Sequence, residues 1–120
     1  MYEDIYNKII EHLKENSGVF HSIVTTNAIP TYFDVQVDNH NIYISTPENT
    51  PNPTTVNAKL SKNEFFKIYP LYLEYLKVQQ DTYKINKDVF NELNKKATAI
   101  SGKRIYWIGL FFELKKRNII

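Results

Sequence analysis

The chain has 120 residues, about one domain's worth, and its hydrophobic fraction of 42% with 14% aromatics is ample for a buried core, which excludes a wholly disordered protein. Its longest apolar run, Ile105 to Phe112, is interrupted by Gly109 and falls well short of the ~20 residues that span a bilayer. The net charge of +2 hides an asymmetry: residues 1–60 hold three Lys and seven acids, whereas 83–120 hold nine basic residues and three acids.

Tyr2, Ile5, Tyr6, Ile9, Ile10 and Leu13 recur at helical spacing, which predicts a helix over 3–16 with Gly18 as its C′ residue. Strands follow over 19–26, 32–37 and 42–46, rich in β-branched and aromatic residues. If Asn39-His40 is the turn, Val37 faces Ile42 and Val35 faces Ile44 on an apolar face, while Gln36–Tyr43 and Asp34–Ser45 lie on a polar one. Residues 46–59 carry three prolines and no apolar period, so they read as a long loop, the kind that is either functional or disordered.

Ser61 and Glu64 fit a capping box, with Leu60 and Phe65 placed for a hydrophobic staple, so a helix begins at Lys62 and extends to about Gln79. Pro70 lies inside it, removes the bond to the Phe66 carbonyl and predicts a kink or break. Asn86 caps a further helix over about 87–99. The last segment, 104–114, is β-branched and aromatic like a buried strand, yet Ser101 as N-cap and Lys115, Lys116 and Arg117 in a last turn favour a helix. The elements add up to one α+β domain over 1–120: an N-terminal helix, a three-stranded antiparallel sheet and a helical C-terminal half. With no basic leader, no membrane span and no cysteine, a soluble cytoplasmic protein is expected. Asn, Lys, Ile and Tyr make up 49 of the 120 residues, a bias toward A/T-rich codons that fits an A/T-rich bacterial, phage or mobile-element genome.

His12, His21 and His40 are scattered over three elements at spacings that predict neither a metal site nor a triad. The isolated glycines form no phosphate-cradling motif, and no G-x-S-x-G elbow is present, so no cofactor is expected. Glu113-Leu114-Lys115 after an apolar run resembles the E-x-K element of the restriction-endonuclease-like family. That resemblance covers three residues. It implies a Mg²⁺ nuclease in which a strand end holds Glu113 and Lys115 on one face, with Asp34, Asp38 or Asp81 as the partner acid.

The remaining signal is aromatic-basic interleaving. Tyr69, Tyr72, Tyr75 and Tyr83 alternate with Lys67, Lys77, Lys84 and Lys87, and Lys103-Arg104 adjoin Tyr106-Trp107. Cations supply sequence-independent phosphate contact and rings supply stacking faces. The leading expectation is therefore a non-catalytic protein that binds DNA or RNA through Lys84, Lys87, Lys95, Lys96, Lys103, Arg104, Tyr106, Lys115, Lys116 and Arg117. A protein-binding inhibitor or accessory subunit is the alternative, and the nuclease ranks third.

Overall fold

The computed structural model describes residues 2–79 and 84–120. Its elements are α1 (Glu3–Glu15), β1 (Gly18–His21), β2 (Tyr32–Val37), β3 (Ile42–Ser45), β4 (Ala58–Leu60), α2 (Lys62–Val78), α3 (Lys87–Thr98) and α4 (Arg104–Lys116). The α+β class is the expected one, but the sheet has four strands rather than three, paired antiparallel in the order β1-β2-β3-β4. The fourth strand is three residues long and follows the proline-rich stretch. It has no periodic signal of its own, and pairing with Ile42–Ile44 creates it.

The β2–β3 register is the expected one, with Val35 opposite Ile44 and Val37 opposite Ile42. Neither Asn39 nor His40 adopts a positive φ; instead the Asp38 carboxylate accepts the backbone N–H groups of His40 (2.8 Å) and Asn41 (2.7 Å) and closes the turn. β1 ends at His21, short of the expected Thr26, because Ser22 Oγ accepts the Thr31 N–H and the chain then leaves the ladder. Gly18 is not a C′ residue of α1: it opens β1 at φ 148°, a conformation that favours glycine. The expected loop is real over 46–57 and is pinned against β2, with Tyr32 N–H donating to Asn52 O (2.9 Å) and Thr54 N–H to Tyr32 O (2.8 Å).

One face of the sheet is covered by α1, whose Tyr6, Ile9, Ile10 and Leu13 are buried; the Tyr6 hydroxyl donates to the His40 carbonyl across the hairpin turn. The capping box forms as expected: Glu64 N–H donates to Ser61 Oγ and Ser61 N–H to Glu64 Oε1, both at 3.2 Å. α2 is not broken at Pro70. Five buried residues along it, Phe65, Ile68, Tyr69, Tyr72 and Tyr75, hold the helix in place despite one lost backbone bond.

The ambiguous segment is helical. α4 buries Tyr106 through Phe111 without a break, together with Leu114, so it is apolar all round and shows no 3.6-residue period. Ser101 is not its N-cap, which is Lys103. The Ser101 hydroxyl instead accepts the Lys103 N–H and donates to Glu64, tying the α3–α4 turn to the start of α2. Gly109 is the point of closest approach between α4 and β1: a Cβ there would lie 2.5 Å from the His21 carbonyl oxygen. The helix ends in a Schellman motif, with Asn118 at φ 60°, its N–H on Lys115 O (3.0 Å) and the Ile119 N–H on Leu114 O (2.9 Å).

Candidate nucleic-acid interface

Folding separates the ten expected site residues into three groups. Lys103, Arg104 and Tyr106, at the start of α4, are drawn into the structure. Tyr106 is buried, its ring edge-on to Phe33 at 5.1 Å and its hydroxyl hydrogen-bonded to Thr54 at 2.7 Å; Trp107 is fully buried. Neither ring offers a stacking surface. Half-buried Lys103 donates to the Lys59 carbonyl (3.0 Å) and pairs with Glu64 at 3.8 Å. Burial opposes ionisation of Glu64, but the Ser101 hydroxyl, the Ser61 N–H and Lys103 outweigh it and hold its carboxyl below the ordinary value.

Arg117 forms the second group, as a clamp. Its Nε donates to Glu113 Oε1 (3.1 Å), its Nη1 to His12 Nε2 (3.1 Å), and its guanidinium lies 4.9 Å from the centre of the Phe20 ring. It therefore fixes the end of α4 to α1 and β1.

The third group is exposed: Lys84, Lys87, Lys95, Lys96, Lys115 and Lys116, none of which forms a salt bridge among the described residues. Three of them meet at one groove of about 1070 Å³ between β1, the end of α2 and α4. Lys84 enters from the segment before α3, and Lys115 and Lys116 from the last turn of α4. Phe20, Tyr72, Tyr75, Leu76 and Phe112 form an apolar floor, bordered by Val19 and Ile85, which stay 47% and 36% exposed. The one acid lining it among the described residues, Glu113, is already held by Arg117. Lys96 lies elsewhere, in a cleft of about 420 Å³ between α2 and α3 that it shares with Glu74, Asp88 and Glu92. Lys87 and Lys95 line neither cavity.

The tyrosines of α2 are a core ladder rather than a platform. Tyr69, Tyr72 and Tyr75 stack in succession at 6.4 and 6.2 Å and are nearly inaccessible, and burial raises the Tyr72 hydroxyl pKa well above its ordinary value. Of the interleaved residues Tyr83 lies outside the described residues, as does Asp81, one of the three candidate partner acids of Glu113. The ring that does reach the groove half-exposed is Phe112, which packs on Tyr72 and Tyr75 at 5.6 Å. Only its place in the long apolar run marked it in the sequence. His21 also lines the groove. Its Nδ1 donates to the Ser22 carbonyl (2.9 Å), which leaves Nε2 free.

Glu113 and Lys115 stand on a helix, not on a strand end, so they do not share one face as alternate strand residues do, and the E-x-K geometry is not formed. Among the described residues no three His, Asp or Glu side chains gather as a metal would need, and no helix is long and apolar enough to cross a membrane. No family model, no curated protein and no solved structure matches this chain.

Proposed function

We propose that this is a small non-catalytic nucleic-acid-binding protein that grips the phosphate backbone through lysines exposed on its C-terminal half, centred on the groove between β1, α2 and α4. The observation that carries this is the convergence of Lys84, Lys115 and Lys116, exposed and without salt bridges among the described residues, from two separate segments onto one concavity. Cations left free of internal pairs retain their charge for phosphate and release counterions on binding. Since Tyr106 and Trp107 are buried, the affinity comes from charge and from the groove floor, not from these two rings.

Titrating a mixed DNA and RNA ladder over a salt series tests this. Binding at ~50 mM salt should fall with a log–log slope of roughly −3 to −5. A flat response, or no binding at low salt, removes the proposal. A second function, binding a protein partner as an inhibitor or accessory subunit, is favoured by the apolar side chains left in the open, Val19 at the groove and Val78, 59% exposed, at the acidic α2–α3 cleft. It would show as a partner complex whose stability is nearly independent of salt.

A further inference from the structure

We infer that the groove selects single-stranded over double-stranded nucleic acid, placing unstacked bases on its apolar floor while Lys84, Lys115 and Lys116 hold the phosphates. This rests on the phosphate-binding function proposed above and gives it a substrate class. A surface made for duplex phosphates alone needs cations and no apolar lining between them. Here the cations from the 84–85 segment and from α4 instead surround a concavity whose lining is mainly apolar.

A duplex keeps its bases paired and stacked inside and its phosphates on a convex outer surface, so it meets the lysines and leaves the floor bare. In a single strand the bases turn away from the backbone and are free to cover apolar surface. Five apolar side chains are accessible for that contact among the described residues: Val19 and Ile85, exposed, and Ile23, Leu76 and Phe112, half-buried. Beneath them the buried rings of Tyr72 and Tyr75 give a rigid base.

Among the described residues, polar groups at the groove that would read base edges are fewer than apolar ones. The Gln79 side-chain oxygen already accepts from the Tyr75 hydroxyl and the Asn86 N–H, and Glu113 is occupied by Arg117. Among the described residues the His21 Nε2, the Asn118 amide and the Gln79 amide nitrogen remain beside a larger apolar lining, so contact with the bases is mainly apolar and largely tolerant of sequence. The backbone turn that bears Lys115 and Lys116 is fixed by the Schellman ending and the Arg117 clamp, so only the lysine side chains need ordering when a ligand binds.

The test is fluorescence anisotropy of the full chain with a short labelled oligothymidylate and with a hairpin duplex carrying the same number of phosphates. The single strand should bind about tenfold or more tightly than the duplex, the size of one base contact. Equal or tighter duplex binding overturns this inference and leaves phosphate binding standing, whereas no binding to either probe removes both. Ile85→Ser, at an exposed site that folding tolerates, should weaken the single strand severalfold with an unchanged salt slope and leave the duplex unaffected. An unaltered single-strand affinity, or the same loss with both probes, also overturns it. Circular dichroism of the variant confirms that the fold is intact.

Discussion

The two ends of α4 carry similar residues and have opposite fates. At its start the aromatics Tyr106 and Trp107 are in the core, Lys103 is spent on Glu64 and a backbone carbonyl, and Arg104 is half-buried with its Nε enclosed. At its end Lys115 and Lys116 stand exposed at a groove, while Arg117 anchors the turn that presents them. A cation beside an aromatic ring in sequence is thus not yet a binding surface. What decides is whether the fold has already used both.

The hardest way to break this arrangement is at the contact that seats α4 on β1. Gly109→Ala puts a Cβ 2.5 Å from the His21 carbonyl, and backbone cannot swing aside as a side chain can. Helix propensity favours Ala over Gly by up to ~1 kcal/mol, yet the collision should give a net loss of about 1–3 kcal/mol in urea denaturation. Gly102→Ala, where nothing lies within 4 Å, should stay within about 0.5 kcal/mol of the parent. A neutral Gly109→Ala would mean α4 does not pack on β1 this closely.

Next in size are changes that touch the start of α4 and the cap of α2 without touching the groove. Tyr106→Phe removes the bond to the buried Thr54 hydroxyl and should cost about 1 kcal/mol, with nucleic-acid affinity unchanged. Ser61→Ala unmakes the capping box and should also cost about 1 kcal/mol, again without effect on binding. A loss of affinity in either variant that exceeds its loss of folded fraction would place the interface at the wrong end of the helix.

The smallest effect concerns pH. Burial and then the Arg117 guanidinium lower the pKa of His12, so the folded protein takes up this proton less readily than the unfolded chain. Stability is therefore full above the ordinary histidine range near ~6.5 and declines as pH falls through it. His12→Gln should flatten that decline in thermal melts at pH 5 to 7, the effect being modest because the ring is partly solvated. A decline of unchanged slope would show that the Arg117 clamp does not depend on a neutral His12.

Much of the fold is legible locally. The capping box, the Asn86 cap and the register of β2 on β3 follow from residues close in sequence or from strict alternation, and each forms as expected. What is not legible depends on distant partners. Residues 58–60 become a strand only because Ile42–Ile44 lie alongside, and α4 hides its helical period because its middle, Tyr106 to Phe111, is buried all round. Ser101 caps nothing in α4 because Glu64, 37 residues earlier, draws its hydroxyl. The candidate site was half visible: charge density marked Lys84, Lys115 and Lys116, but nothing local distinguishes them from Lys103. The apolar floor is assembled from β1, α2 and α4: the sequence marks Tyr72 and Tyr75 as candidate stacking rings and Phe112 as part of an apolar run, but nothing local brings them together with Phe20 and Leu76.

The most direct measurement compares the two ends of α4 through their salt dependence. Lys115→Gln with Lys116→Gln should reduce the magnitude of the log–log slope for a single strand by about 1.4, at ~0.7 per phosphate contact, and weaken binding to every sequence alike. Lys103→Gln should leave the slope as it is, because that cation is already paired with Glu64. The reverse outcome, a slope changed by Lys103→Gln and indifferent to Lys115 and Lys116, would contradict the assignment of the groove as the binding surface.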